Sequence, residues 1–495
     1  MPLNEIQNSD QLYQFVQDTF ETSIPRQGIC PGHQAPWDYI WQSFSADRDN
    51  VVWACRGGGK TFCAALSTVL WAIHHPGAEQ VILGGSLEQS ERLAEHIRSL
   101  LAHLDHIQSP SSRRRHIKLL NGSVIRILAQ SETSVRGVHA DKVRCDEVEL
   151  FDPDVWRAVG FCTTGRKAAQ GSLEALSTAH VKGGIMENLV ERCRGRNYPG
   201  RLFAWCLWEV IENCPPQRRC EGCLLADDCH GPGASPTAIA SQRGLARRGS
   251  GFFRIDDAIA IKARSSALAW QAEMLCRGVS RNQWAVFAEF DPARHVSKSD
   301  ELVYRRDWPL YRAIDFGYRD PLVCLWVQLT PDGKVCVLDE YVREELPIVR
   351  HAANILQRDA VVTGIAACPG RDRSPVAITY VDPAGRQKES TSGAACTELL
   401  ASAGIPCACR GSTIGEGLEL IRAAMAPAVG EHRLLVHPRC TKLIDAFGAY
   451  HYPPPGSGGN GDTPVKDGPD HLIDALRYFF VNRMRPRTKT ERGRY

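Results

Sequence analysis

Residues 51–62 read Val-Val-Trp-Ala-Cys-Arg-Gly-Gly-Gly-Lys-Thr-Phe. A hydrophobic run breaks into three glycines, a lysine and a threonine. Residues 62–73 then resume as an apolar stretch, Phe-Cys-Ala-Ala-Leu-Ser-Thr-Val-Leu-Trp-Ala-Ile. The order is strand, bare backbone, cation, hydroxyl, helix, which suits a phosphate-binding loop. Gly57, Gly58 and Gly59 carry no side chains, so successive N–H groups can wrap phosphate oxygens. Arg56 directly precedes the glycines. The pattern predicts Lys60 on the β- and γ-phosphates of ATP and Thr61 on its Mg2+. It also predicts a buried helix whose N-terminus faces the anion. Ala54 stands where the first glycine of the usual pattern is expected.

Such a loop needs a partner acid, and residues 143–149 (Val-Arg-Cys-Asp-Glu-Val-Glu) supply a pair at a strand end. Asp146 is expected to hold Mg2+ through water and Glu147 to polarise the attacking water. Upstream, Gln34 in Pro31-Gly-His-Gln precedes an aromatic segment and is placed to read an adenine edge; a plain surface glutamine is the bland alternative. Downstream, Leu176-Ser177-Thr178-Ala179 resembles the Ser/Thr element that couples hydrolysis to movement in helicase-like motors.

A chain of 495 residues is too long for one core, so two domains with connections are expected. Hydrophobic content of 43% against 23% charged is that of an ordinary globular protein. No apolar run approaches the ~20 residues that span a bilayer, and residues 1–7 lack a basic, apolar signal segment. The expectation is therefore a cytoplasmic location and no membrane. Net charge is only +3, but it is unevenly spread. Residues 1–24 carry four acids and no Lys or Arg, while Arg483, Arg485, Arg487, Lys489, Arg492 and Arg494 crowd the end. Arg113-Arg114-Arg115 forms a second basic cluster. Runs of this kind are usually solvated surface, and a DNA-handling protein can lay them on phosphates.

Nineteen cysteines in a cytosolic chain argue against a disulfide framework. Most are scattered singly and read as core thiols. Cys214, Cys220, Cys223 and Cys229 instead fall within one Pro/Gly-rich stretch, with His230 next to the last. Four thiolates so close can close around a structural zinc ion. Their spacing also resembles the staples of an iron–sulfur cluster, and plain thiols are the third alternative.

The second half carries different chemistry. Residues 311–341 read as strand, Gly-containing corner, strand, Thr-Pro-Asp-Gly turn and strand. Asp315 lies inside the first of these among apolar neighbours, where a carboxylate is costly unless paired or metal-bound. Asp382 follows another strand in Ile378-Thr-Tyr-Val-Asp. Asp470 and Asp474 open the last helix, four apart and so on one face. Asp470 as a helix cap, and Asp474 paired with Arg477, are the bland readings. Acids at a first strand, a later strand and a terminal helix are the arrangement of ribonuclease H-like nucleases, whose carboxylates hold two Mg2+ or Mn2+ ions roughly 4 Å apart.

In this order, Ala54-Cys-Arg-Gly-Gly-Gly-Lys-Thr, Ser134-Val-Arg-Gly-Val-His-Ala, Cys145-Asp-Glu, Leu176-Ser-Thr-Ala, Ala313-Ile-Asp-Phe-Gly, Tyr380-Val-Asp-Pro-Ala-Gly and Asp470-His-Leu-Ile-Asp-Ala-Leu-Arg-Tyr resemble the large subunit of the tailed-phage DNA-packaging terminase. The resemblance implies an α/β chain: a P-loop ATPase domain with a parallel-type central sheet, then a ribonuclease H-like mixed-sheet nuclease. It implies an ATP-driven motor that forms a homo-oligomeric ring on the portal protein of a prohead. Such a motor would pump double-stranded DNA and cut concatemers, with a small terminase subunit supplying site recognition. Asp315, Asp382 and Asp470 would ligate the nuclease ions with Asp474 nearby, Arg56 would touch the γ-phosphate, and Arg136 would act on a neighbouring subunit's nucleotide. The cysteine group is no part of that pattern. Expected boundaries are an N-terminal segment 1–25, ATPase core 26–215, cysteine segment with small subdomain and linker 216–300, nuclease 301–482 and basic tail 483–495. Two other classes share these residues: a cellular helicase-nuclease of repair or defence, and a non-catalytic prophage remnant serving as a structural partner.

Overall fold

The computed structural model describes residues 6–128, 135, 137–163, 171–179, 184–195, 198, 200–231, 244–277, 285–298, 302–317, 320–365, 375–386, 395–453 and 463–485. Arg136 and the tail beyond Arg485 lie outside them. The chain divides into two compact units, Met1–Lys262 with Ala269–Ser280, and Ala263–Leu268 with Arg281–Tyr495. Residues 281–300, expected to belong with the linker, fall in the second unit, where Val286 and Phe287 are buried in its core.

The first unit is built on seven strands: β1 (Asn50–Ala54), β2 (Glu79–Gly84), β3 (His116–Lys118), β4 (Val124–Leu128), β5 (Lys142–Asp146), β6 (Ser172–Ser177) and β7 (Arg201–Trp205). Their order in the sheet is β3-β4-β2-β5-β6-β1-β7. All neighbours pair in parallel except the short edge strand β3, which runs antiparallel to β4. The central strands are buried along their whole length, as expected of strands covered by helices on both faces. Helix α1 (Ser9–Phe20) begins at an Asn8 cap and buries Leu12, Val16 and Phe20. The acidic N-terminal segment therefore packs on its own chain. Helix α2 (Pro36–Ser45) precedes β1, α3 (Lys60–His74) follows the glycine loop, and α4 (Leu87–Ala102) follows β2.

A buried charge network fastens α2 to this sheet. Glu174 on β6 is fully buried and accepts from Arg144 Nε at 2.7 Å, Tyr39 Oη at 2.7 Å and Ser43 Oγ at 2.6 Å, with Lys142 Nζ at 3.6 Å. Burial alone would raise the Glu174 carboxyl, but Arg144 and Lys142 outweigh it and hold it at about 2. The stabilisation this gives is complete above the ordinary glutamate value and is lost as pH falls through about 2. Glu174→Ala leaves two buried cations without a counter-charge. We expect it to cost ~3–5 kcal/mol, read as a lower urea midpoint for the first unit.

The second unit carries a six-stranded mixed sheet of β8 (Leu310–Asp315), β9 (Leu322–Leu329), β10 (Val335–Arg343), β11 (Val376–Val381), β12 (Cys407–Ala408) and β13 (Leu434–Val436), in the order β12-β11-β8-β9-β10-β13. The hairpins β8–β9 and β9–β10 are antiparallel, and β11 pairs with β8 in parallel. Both faces of β9 are apolar. Val323, Leu325 and Val327 enter one core, and Leu322, Cys324 and Trp326 the other. The first core is closed by α6 (Ile414–Met425), α7 (Thr441–Ala449) and α8 (Pro469–Arg483), the second by α5 (Ile348–Thr363). Across the described residues, no helix is long and apolar enough to cross a membrane.

Candidate active sites

The loop between β1 and α3 spans residues 55–59. Gly57 and Gly59 have φ of 70° and 80°, a left-handed backbone that glycine adopts without strain. Lys60 is the first residue of α3 and is 6% exposed, so its ammonium is held under the loop rather than in water. Thr61 Oγ1 donates to Asp146 Oδ2 at 2.7 Å, and Lys60 Nζ lies 3.5 Å from Glu147 Oε1. All four groups come from the carboxyl ends of β1 and β5. Ser177, at the same end of the intervening β6, donates to Glu147 Oε2 at 3.3 Å. Thr178 beside it is buried.

Glu147 adopts φ 55°, a left-handed conformation that costs a residue with a Cβ on the order of 1 kcal/mol or more. Asp146 is driven up to about 6 by burial and by the charge of Glu147, against the opposing pull of Thr61 and Lys60. A half-buried hydroxyl and a buried carboxylate in contact, the latter reluctant to ionise, are a donor set that suits a hard divalent cation.

The remaining sequence candidates are placed differently. Gln34 Oε1 accepts the Ala204 N–H at 3.0 Å and its amide donates to Gly32 O at 3.3 Å, so this side chain ties its loop to β7. Arg56 is exposed and pairs with Glu273 at 2.9 Å. Glu273 belongs to Trp270–Met274, a π-helical turn that continues the short α-turn Ala267–Ala269. Phe252 and Phe253 also lie against the loop: a Cβ on Gly59 would sit 3.0 Å from Phe252, and one on Gly57 2.9 Å from Phe253. Neither phenylalanine has a local motif that could have announced it. Of the basic cluster, Arg114 and Arg115 pair with Glu91 at 3.2 and 2.9 Å.

No three of Cys214, Cys220, Cys223 and Cys229 bring their sulfurs within 4.8 Å of one another. A single zinc ion with ~2.3 Å bonds needs thiolates only about 3.8 Å apart. Cys229 nevertheless feels the charge of the other three, which adds to burial in raising it to about 11. The four share a neighbourhood wider than one ion requires.

In the second unit Asp315 ends β8. The register pairs Val381 with Ile314, which sets Asp382 beside Asp315 at the next position. Helix α8 presents His471 Nδ1 at 2.9 Å from Asp315 Oδ2. Burial raises Asp315 to about 6, with Asp474 and Asp382 adding to the rise and His471 opposing it. Tyr478, one turn beyond Asp474, is raised by burial and by the charges of Asp315, Asp474 and Asp382. The set brought together is thus Asp315, Asp382, His471 and Asp474. Asp474 also accepts from Arg477 Nε at 2.8 Å. Asp470 turns back to accept the Gly468 N–H at 2.9 Å and closes the start of its helix. The His-x-x-Asp spacing of residues 471–474 was the available signal for His471.

No protein-family model and no curated protein matches the chain. Among solved structures it is similar to the large terminase of a thermophilic bacteriophage, with 14% identity and a TM-score of 0.50, over 90% of this chain and 96% of that one. The ADP complex of the same phage protein aligns at 13% identity and TM-score 0.49, over 91% and 97%. The large terminase of bacteriophage HK97 aligns at 13% identity and TM-score 0.35, over 96% and 98%. At such identities the likeness is one of fold, and it runs through both units.

Proposed function

We propose that this chain is the large subunit of a DNA-packaging terminase, an ATP-driven DNA translocase joined to a metal-dependent endonuclease. The observation that carries this reading is the pairing of two acidic centres in one chain. One lies beneath a glycine loop at the carboxyl ends of parallel strands, and the other at the ends of β8 and β11.

In the motor unit Lys60 neutralises the β- and γ-phosphates, and the loop N–H groups hold them in place. Mg2+ held by Thr61 and Asp146 would draw charge from the γ-phosphoryl oxygens. Glu147 orients the attacking water, and Ser177 holds Glu147 in the required rotamer. Loss of the γ-phosphate changes what Glu147 faces, and the Ser177 contact passes that change to the chain after β6. Arg136 remains the proposed finger offered to a neighbouring subunit in a ring. In the nuclease unit Asp315, Asp382 and Asp474 would ligate two Mg2+ or Mn2+ ions, which activate water and stabilise the leaving oxygen. His471 holds Asp315 in orientation, and Arg477 does the same for Asp474. The partners this implies are double-stranded DNA, a portal protein and a small terminase subunit. Cys214, Cys220, Cys223 and Cys229 would hold a structural zinc ion or an iron–sulfur cluster.

The test is packaging. Purified protein, cognate proheads, DNA and ATP are combined, and DNA protected from added nuclease is measured beside free cutting activity. Protection that requires ATP hydrolysis is the expected result. ATP-driven unwinding of free duplex, with no prohead-dependent protection, would replace this reading with the helicase-nuclease.

A further inference from the structure

Two short pairs, Cys30-Pro-Gly-His33 and Cys206-Leu-Trp-Glu209, stand 176 residues apart in the chain and meet in the first unit. Cys30 Sγ lies 3.7 Å from Cys206 Sγ, and His33 Nδ1 lies 3.0 Å from Glu209 Oε2. One ligand atom from each of the four falls within 4.8 Å of all the others, the one such set among the described residues. We propose that Cys30, His33, Cys206 and Glu209 bind one Zn2+ that straps the segment before α2 to the end of β7.

Zinc bonds of ~2.3 Å to sulfur and ~2.0–2.1 Å to nitrogen or oxygen, set tetrahedrally, place ligand atoms about 3.3–3.8 Å apart. The separations of 3.7 and 3.0 Å are close to that before any adjustment. Two thiolates, an imidazole and a carboxylate are soft enough to favour Zn2+ over Mg2+ or Ca2+. Cys206 and Glu209 are each 1% exposed, while Cys30 and His33 are half-buried. Cys30, His33 and Cys206 also line a cavity of about 580 Å³, which gives an ion a way in.

The carboxylate is already oriented. Glu209 Oε1 accepts the N–H groups of Ile29 at 3.1 Å and Cys30 at 2.7 Å, and Oε2 accepts that of Cys206 at 2.8 Å. Backbone donors of this kind fix a ligand before the metal arrives. Binding releases the two thiol protons to solvent and moves the His33 proton away from Nδ1, so that this nitrogen coordinates.

The strap reaches the glycine loop. Cys206 follows Trp205, whose Nε1 donates to Gly58 O at 2.9 Å and whose carbonyl accepts the Cys55 N–H at 3.1 Å. His33 precedes Gln34, which is bonded to Ala204 through both backbone and side chain. A metal here fixes one wall of the loop through covalent neighbours.

The experiment uses the full chain carrying Cys220→Ser and Cys223→Ser, so that the cysteine-rich segment contributes no signal. Protein purified under reducing conditions, stripped with chelator and titrated with Co2+ should show thiolate-to-cobalt charge-transfer absorption. That absorption should saturate at about one equivalent and be displaced by Zn2+. Adding Cys30→Ser or Cys206→Ser should abolish the absorption, and His33→Ala should weaken binding at least ~10-fold. Amide exchange at residues 29–35 should speed up when the metal is removed. Should the double-serine background not fold, the unaltered chain is compared with Cys30→Ser, which should lack one equivalent of zinc. No absorption, absorption indifferent to Cys30→Ser, or recovery of Cys30 and Cys206 as a disulfide from the reduced preparation overturns the site. Exchange at 29–35 that ignores the metal overturns the strap.

Discussion

Lys60→Ala protein hydrolyses ATP ~10²–10³-fold more slowly than the unaltered chain, in steady-state phosphate release at saturating nucleotide. Lys60 is 6% exposed and its ammonium lies 3.5 Å from Glu147, so it works in a poorly solvated space where charge counts for more than in water. No other Lys or Arg among the described residues pairs with Glu147. Arg56 is exposed and turned to Glu273, and so cannot take over. Glu147→Gln should separate binding from turnover. The amide still reaches Ser177 but cannot draw a proton from water, so nucleotide binds and hydrolysis stalls. Normal turnover in both variants would remove the motor function from these residues.

The second large effect belongs to Asp315. Asp315→Ala should lower DNA cutting at least ~100-fold, because losing several kcal/mol of metal-borne charge stabilisation costs a decade per ~1.4 kcal/mol. ATP turnover should stay near normal, since Asp315 belongs to the other compact unit. The helix positions extend the test. Asp474→Ala should match Asp315→Ala, whereas Asp470→Ala should mainly loosen the start of α8, because its Oδ1 accepts the Gly468 N–H. Wild-type cutting by the Asp315 variant would end the nuclease reading. Cutting lost at Asp470 but kept at Asp474 would return the third ligand to the first turn of the helix.

Much of this was legible in the chain because the motifs are local. The glycine loop shows in sequence since strand, turn and helix are contiguous, and Asp315 shows because a carboxylate inside an apolar strand demands an explanation. The choice between Asp470 and Asp474 was not legible. Helical spacing puts both on one face, and only the packing of α8 against β8 brings His471 of the first turn onto Asp315 and the Asp474 charge near it. Gln34 is a related case: its neighbours suggest a base-reading amide, and the structure places its amide oxygen on β7, 170 residues away. The pairs at Cys30 and Cys206 were invisible because neither half is a motif. They meet only because β7 returns to lie beside β1.

The phosphate loop, the acid pair and Ser177 all leave the carboxyl ends of β1, β5 and β6, which are adjacent in the sheet. The opposite rim, where the chain enters these strands, carries none of these groups. Substitutions along that rim leave these groups untouched, and a common fold persists at 14% identity.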